Sequence, residues 1–453
     1  MPLELIVLAA GQGKRMQSTL PKVLHKLAGK PLLAHVLQTA RALNPVRIAV
    51  VHGHGADAVK AVFTEPDLRW ELQAEQLGTG HAVQCGLAAV SPGAHVVVLN
   101  GDMPLIQPQT LQRLADAAGS GLAILTAEFP ETPAYGRVVR DASGKVMRIV
   151  EQRDANDTER AIRECYVGYI ACSRENLAHW LSRVGQSNAQ REYYLTDVIE
   201  LAVADGIAVG TVKLEDFREA LGVNSRYDLA IAERAYQNMA ARRLLDAGVT
   251  LADLWRTDVR GELSCGQDVQ IDVNCVFDGK VTLGDRVRIG PNCVLKNVSI
   301  AADTEVNAFS LLEDAEVGAR CRVGPYARLR PGASLAEDVH IGNFVEVKAS
   351  RIGAGAKVNH LSYIGDSDVG RRVNIGAGTI TCNYDGATKH RTVIEDDCFI
   401  GSDAILVAPV RVARGSYIGA GSTISKDTPE GQLTVARARQ VTVPGWTPPK
   451  KKG

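Results

Sequence analysis

The sequence predicts two structural regimes in one chain: an α/β half built on a mostly parallel sheet, then a solenoid of six-residue repeats. Three observations predict them. Short β-branched runs alternate with helix-like stretches through the first half of the chain. One helical pattern, Asp228 to Ala247, follows. After about residue 260 the period changes, and aliphatic residues recur every five or six positions.

Composition bounds the reading. At ~150 residues per domain, 453 residues suggest two or three domains. Apolar residues make up 45%, which excludes a disordered chain. Basic and acidic side chains balance at 51 each, so no global charge draws the chain to nucleic acid or an anionic membrane. No apolar run approaches the ~18 residues of a membrane span. The first such run, Leu5 to Ala10, lacks the basic flank of a secretion signal. Nine cysteines without a C-x-x-C pair read as reduced thiols in a cytoplasmic protein.

The elements follow in order. Leu5–Ala10, Ile48–Val51 and His95–Leu99 read as buried strands, Pro31–Leu43 and Gly80–Val90 as helices between them. A sheet of such βαβ units is covered on both faces. In Asp228–Ala247 the apolar positions Leu229, Ala232, Tyr236, Met239 and Leu244 give an amphipathic connector ending before Gly248. We therefore expect domains at 1–226 and 248–453, joined by a linker at 227–247.

The solenoid register runs through Leu283, Ile289, Leu295, Ile300, Val306, Leu312, Val317, Val323, Leu329, Leu335, Ile341, Val347, Ile352, Val358, Ile364, Val369, Ile375 and Ile380. It resumes at Ile394, Ile400, Leu406, Val412, Ile418 and Ile424. Three hexapeptides complete one coil of a prism, the aliphatic residue pointing inward. The break at Thr381–Val393 is a loop thrown out of one coil, where solenoids commonly carry function. The tail from about residue 447, with Lys450 to Lys452, reads as disordered.

Chemistry-bearing residues concentrate in a few places. Leu8-Ala9-Ala10-Gly11-Gln12-Gly13-Lys14-Arg15-Met16 joins a strand to a Gly-rich loop with cations, and Pro21-Lys22 follows. Glycine lets backbone N–H groups approach phosphate, and the cations supply countercharge. Asp102, just past a strand ending in Asn100-Gly101, offers a hard oxygen to Mg²⁺, with Asn224 a second. In a parallel sheet that end of a strand is where ligands bind. In the solenoid, His360 has Arg330, Lys348, Tyr363 and Asn374 each roughly one coil away.

These strings carry a resemblance. The L-A-A-G-x-G-x-R-M…P-K string resembles the signature of sugar-nucleotide pyrophosphorylases. Gln73-Ala74-Glu75-Gln76-Leu77-Gly78-Thr79-Gly80-His81-Ala82, Asn100-Gly101-Asp102-Met103-Pro104-Leu105, Tyr135-Gly136-Arg137, Glu151 and Gly222-Val223-Asn224 agree with it. The second half, with Leu329-Arg330-Pro331-Gly332, Gly342-Asn343-Phe344-Val345-Glu346-Val347-Lys348, His360-Leu361-Ser362-Tyr363-Ile364-Gly365-Asp366 and Asn374 to Gly386, resembles hexapeptide-repeat acyltransferases. From Leu3 to about Trp446 the chain is similar to the family of bacterial bifunctional N-acetylglucosamine-1-phosphate uridylyltransferases and glucosamine-1-phosphate N-acetyltransferases.

The resemblance implies a Rossmann-like nucleotidyltransferase domain and a left-handed parallel β-helix assembled as a homotrimer. The cofactor it implies is Mg²⁺, held by Asp102 and Asn224, with acetyl-CoA and UTP as co-substrates. UTP and its sugar product fall to Leu8, Ala9, Ala10, Gly11, Arg15, Lys22, Gln73, Gln76, Gly78, Thr79, Asn100, Gly101, Asp102, Gly136, Glu151, Tyr166 and Asn224. Glucosamine 1-phosphate falls to Arg330, Lys348, Tyr363, Asn374 and Lys389. Acetyl-CoA falls to Ala377, Asn383, Tyr384, Ser402, Ala420 and Arg437, with His360 the general base. The product, UDP-N-acetylglucosamine, would feed cell-wall and lipopolysaccharide assembly. Small molecules are the expected partners, with neither nucleic acid nor membrane. The sequence departs from its relatives at Tyr166, where many carry Asn, and at Asn100, where some carry Tyr. The alternative, a nucleotidyltransferase whose solenoid is only structural or regulatory, is opposed by the cluster Arg330, Lys348, His360, Asn383 and Tyr384.

Overall fold

The structure is a computed structural model that describes residues 2–53 and 55–449. The three lysines of the expected tail, Lys450 to Lys452, lie outside those residues. Two compact units divide between Tyr236 and Gln237, inside the helix Arg226–Asp246.

The first unit is organised by a nine-stranded sheet. Its strands are β1 (Leu3–Ala9), β2 (Arg47–His52), β3 (Leu68–Leu72), β4 (His95–Asn100), β5 (Leu122–Glu128), β6 (Gly136–Arg140), β7 (Val146–Val150), β8 (Glu164–Ser173) and β9 (Val209–Lys213). The main order is β9-β5-β8-β4-β1-β2-β3, with β6 pairing β8 and β7. β1 pairs β2 and β4 in parallel, while β8 runs antiparallel to β4 and β5. Alternate residues of β1 enter different cores: Leu5, Val7 and Ala9 join one, Ile6 the other. A strand buried on both faces must be apolar throughout, which explains the unbroken run L-I-V-L-A. Helices α1 (Leu32–Arg41), α2 (Thr79–Leu87) and α3 (Pro108–Ala118) connect the strands. The strands and helices read from the sequence appear at their expected places.

The connector differs from its sequence pattern. Leu229, Tyr236, Met239 and Leu244 are only half-buried. The deep positions are Ala232, Ala235, Ala240, Ala241 and a polar residue, Gln237. Small side chains let this helix pack closely, so its buried face is not its most hydrophobic one. No helix among the described residues is long and apolar enough to cross a membrane.

The second unit is a three-sided solenoid. One face is an eleven-stranded parallel sheet. The other sheet, of fifteen strands, divides after Leu311–Val317 into two rows that form the remaining faces. Every pairing between coils is parallel. The aliphatic residues of the six-residue register form one continuous core, with a single exception. Ile380 is 40% exposed, and Thr381 takes the inward position at 0%. The Thr381 hydroxyl accepts from the Gly365 N–H at 2.8 Å, so the polar atom is satisfied inside the prism. The loop 383–391 leaves the coil directly after this substitution.

Gln237 closes an edge. Its Nε2 donates to the Val259 carbonyl at 2.9 Å, and the Val259 N–H donates to its Oε1 at 2.7 Å. Val259 lies on Thr257–Cys265, an outer strand of the fifteen-stranded sheet. The side-chain amide thus supplies the pairing that an edge strand lacks. Replacing Gln237 by Leu should strand two buried backbone groups and cost about 1–3 kcal/mol. Urea unfolding followed by circular dichroism should show a lower midpoint for Gln237→Leu.

Candidate functional sites

In the first unit, strand ends gather the polar groups. The Gly101 N–H donates to the Leu8 carbonyl at 2.8 Å, pinning the turn after β4 to β1. The next residue, Asp102, accepts the Val223 N–H on its own carbonyl at 2.9 Å, which places Asn224 beside it. The Lys22 ammonium bridges the two side chains. It donates to the Asp102 carboxylate and to Asn224 Oδ1, the latter at 3.2 Å. Asn224 is held in turn by Asp228, whose Oδ2 accepts the Asn224 N–H at 3.0 Å.

Lys22 and Asp102 border a cleft of about 220 Å³ also lined by Leu8, Ala9, Ala10, Gly11, Gln73, Gln76, Gly78, Thr79, Asn100 and Glu192. A second cavity of about 140 Å³ shares Leu8, Thr79 and Asn100 and continues to Gly136, Glu151 and Tyr166. Burial raises the Glu151 carboxyl above its ordinary value, against the lowering effect of its 3.3 Å hydrogen bond from the Thr196 hydroxyl. Most residues expected at a nucleotide site therefore converge. Arg15 does not: it is exposed on the Lys14–Met16 turn and lines neither cavity. Gly101 is buried beneath the cleft. Tyr166 contributes to the second cavity, but its hydroxyl is enclosed with no hydrogen-bond partner among the described residues. Burial first, then the Glu151 charge, raises that phenol further.

Two oxygen donors around one cation suit a hard metal. Mg²⁺ keeps waters and phosphate oxygens and takes one or two protein ligands, which is what Asp102 and Asn224 can offer. Among the described residues no group of three or more His, Cys, Asp or Glu could hold a metal alone.

Sequence reasoning left out Glu192, Leu195 and Thr196 from these cavities. They arrive on a segment tied to the Gly-rich stretch by two backbone bonds, Tyr193 N–H to Leu77 at 2.8 Å and Gly80 N–H to Tyr193 at 2.7 Å. No local pattern announces that pairing. Tyr135, whose hydroxyl donates to the Ala220 carbonyl at 2.8 Å, was legible only as part of a motif.

In the solenoid, one corner column carries His360. Successive coils hydrogen-bond backbone to backbone: Leu361 N–H to Asn343, Gly378 N–H to His360, Asp403 N–H to Ala377 and Gly421 N–H to Ser402. Arg437 donates to the Ala420 carbonyl at 2.7 Å. Asn343, His360, Ala377, Ser402 and Ala420 thus stack in a row, with Arg437 at its end. His360 Nδ1 meets Asn343 Oδ1 at 3.1 Å. A carbonyl oxygen only accepts, so Nδ1 carries the proton and Nε2 keeps its lone pair. Asn343 lies one coil before His360, which was the available signal for it.

The cations stand across the next corner. Tyr363 pairs in register with Glu346, and Lys348 with Gly365. Arg330 donates to Glu346 at 2.8 Å. Asp366 Oδ2 receives Lys348 at 3.5 Å and the Asn383 amide, which also reaches the Tyr363 hydroxyl at 3.4 Å. Lys389 meets Lys348, and that hydrogen bond and like charge push Lys389 below its ordinary value. Such crowded cations suit a dianionic phosphate. The loop that carries Tyr384 and Lys389 is ordered by Asp385, which accepts from the Ala387 and Thr388 amides and from His390. Asn374 lies on the other side, in register with Lys357 and Phe399 on the strand row of His360.

Between the His360 row and the Tyr363 row runs an exposed apolar corner. Phe309, Tyr326 and Phe344 stack with centroids 4.9 and 5.2 Å apart, and Leu361 extends the line. All four have positive φ, which turns the chain at that corner.

Fold and sites together define a two-part transferase architecture, a nucleotidyltransferase-like unit followed by a hexapeptide solenoid. Residues 5–191 match the MobA-like NTP transferase domain, 259–352 the GMPPB C-terminal domain and 391–426 six bacterial transferase hexapeptide repeats. Bifunctional protein GlmU of Chromobacterium violaceum is 58% identical over 450 residues, covering 99% of both chains. The protein of the same name from Bordetella parapertussis is 58% identical over 455 residues, covering 99% of this chain and all of its own. That from Aromatoleum aromaticum is 56% identical over 451, covering 99% of each. The chain belongs to the GlmU family of bifunctional proteins.

Proposed function

We propose that this chain makes UDP-N-acetylglucosamine by two successive transfers. Residues 248–453 acetylate glucosamine 1-phosphate with acetyl-CoA. Residues 1–226 then couple the N-acetylglucosamine 1-phosphate to UTP and release pyrophosphate, the segment 227–247 linking the two. The observation that carries the reading is the coexistence, in one family member, of the His360 column and the Lys22–Asp102–Asn224 group.

In acetyl transfer, Arg330, Lys348 and Lys389 hold the sugar phosphate, with Tyr363 and Asn374 against the sugar. Nε2 of His360 takes a proton from the amine as nitrogen attacks the thioester carbonyl, and CoA leaves as the thiol. Asn343 holds the imidazole in the tautomer this needs. Ala377, Ser402, Ala420 and Arg437 form the track for the coenzyme, and Asn383 and Tyr384 approach from the loop. In uridylyl transfer, a phosphate oxygen of the sugar attacks the α-phosphorus and pyrophosphate departs. Lys22 counters the charge on the phosphates. Asp102 and Asn224 would hold Mg²⁺, which when bound neutralises phosphate charge. Gln73, Gln76, Gly78 and Thr79 face the base, while Gly136, Glu151 and Tyr166 border the sugar. Nine free thiols fit action in the reducing cytoplasm.

The two activities should separate by mutation. Asp102→Asn should lower pyrophosphate release about 100-fold or more and leave CoA release unchanged. His360→Ala should lower CoA release by about 100- to 10,000-fold and leave pyrophosphate release from supplied N-acetylglucosamine 1-phosphate unchanged. Normal pyrophosphate release by Asp102→Asn would remove the metal assignment.

The assembly we propose is a homotrimer through the solenoid, with the Phe309–Tyr326–Phe344–Leu361 corner buried between copies. Exposed stacked aromatics beside the His360 row support it. Tyr326→Glu should shift sedimentation from trimer toward monomer and reduce acetyl transfer. Pyrophosphate release should stay within about twofold.

A further inference from the structure

We infer that His81 is a positioning residue that fixes the orientation of the Gln73 amide and thereby the choice of nucleotide base. This rests on the reading of Gln73 as facing the base of UTP. Gln73 follows β3 and is 3% exposed, yet it lines the cleft. Its Nε2 meets the Gly78 carbonyl at 3.1 Å. A carbonyl cannot donate, so the atom facing it must be the amide nitrogen. The second contact of Nε2 is His81 Nδ1, at 3.2 Å. Nε2 has two hydrogens, and these two acceptors consume both. His81 Nδ1 must then be unprotonated, which puts the ring proton on Nε2. There it meets Cys85 Sγ at 3.9 Å, a weak acceptor one helical turn further along α2.

The consequence is that Gln73 presents only an acceptor. Its Oε1 receives no hydrogen bond among the described residues. Gly78, at φ +113°, brings its carbonyl into place, and a Cβ there would fall 2.6 Å from the Tyr193 carbonyl oxygen. An acceptor-only amide suits a pyrimidine that donates at N3, as uracil does. It repels one that presents a lone pair at N3, as cytosine does. His81 is the replaceable half of this lock. Without it one hydrogen of Nε2 is released, and the amide can turn a donor toward the base. His81 touches no reacting atom in this arrangement, and its effect passes through Gln73.

The test compares kcat/KM for UTP and CTP in pyrophosphate release by the full chain with N-acetylglucosamine 1-phosphate and Mg²⁺. Thermal unfolding of the same preparations followed by circular dichroism reports that each variant is folded. His81→Leu should lower the UTP:CTP ratio about tenfold, through loss on UTP without a parallel loss on CTP. His81→Asn, whose Oδ1 can take the place of Nδ1 as acceptor, should keep the ratio near that of the unmodified protein. Gln73→Leu should lower the ratio as well. A lowered ratio in Gln73→Leu with an unchanged one in His81→Leu, or a parallel loss on both nucleotides in His81→Leu, overturns the role of His81 alone. An unchanged ratio in Gln73→Leu overturns the base-facing reading of Gln73, and the inference falls with it.

Discussion

Backbone hydrogen bonding between successive coils is the constraint on which the second unit depends. Neighbouring coils exchange amide-to-carbonyl bonds: at the corners a coil donates back to the one before it, as in Tyr326 N–H to Ala308 and Gly378 N–H to His360, and along the faces forward to the next, as in Arg328 N–H to Val345. This turns distance along the chain into position along a column. A residue 17 or 18 places further on stands directly above, as the pairs His360 with Asn343 and Lys348 with Asp366 show. The interior only has to be aliphatic, or, at Thr381, polar and satisfied. The exterior is then free to carry chemistry in rows. In the first unit the equivalent constraint is the parallel sheet, whose strand ends bring Asp102, fixed to β1 through Gly101, under the loop that carries Lys22.

Charge is handled differently in the two sites. Lys22 is paired, its ammonium shared between a carboxylate and an amide oxygen. The solenoid site instead concentrates cations: Lys348 and Lys389 face each other with the single carboxylate of Asp366 beside them. Bringing two ammoniums together has an electrostatic cost that a bound dianion relieves. A site arranged this way is built around its ligand. The cleft of the first unit is closer to self-sufficient, because its lysine already has a carboxylate partner.

Much of this was legible in the sequence for a physical reason. Strand and solenoid periods are set by burial, and burial is written in side-chain type. The aliphatic register therefore located the interior of nearly every coil, and the residues before the Gly-rich loop led to the first cleft, which Leu8, Ala9, Ala10 and Gly11 line. The readings that changed share a cause as well. Ile380 looked inward because it is aliphatic, but the chain leaves the coil just beyond it and Thr381 fills the prism with its hydroxyl bonded. The connector looked amphipathic by its large residues, yet packing selected alanines and the amide of Gln237. Glu192 and Thr196 were invisible because a pair of backbone bonds, with no periodic signature, brings them to the cleft. Periodicity could not say which of many exposed polar residues belong to a site, and that expectation came from resemblance.

The placement of the two sites relative to their own folds has a consequence for assembly. The cleft of the first unit is enclosed by strands, turns and one returning segment of a single chain, so folding of that unit completes it. The solenoid site is not enclosed. His360 stands on one face, Tyr363 and the cations on the next, and an exposed aromatic corner separates them. A convex edge cannot surround a substrate, because both walls fall away from it. Only a second surface laid against the corner makes a cleft of it, and the apolar stack there is what such a surface would cover. On the proposed assembly, acetyl transfer would depend on association of copies, whereas uridylyl transfer would not. A rigid repeat scaffold favours this division, since it holds the residues of each row in register without having to close around them itself.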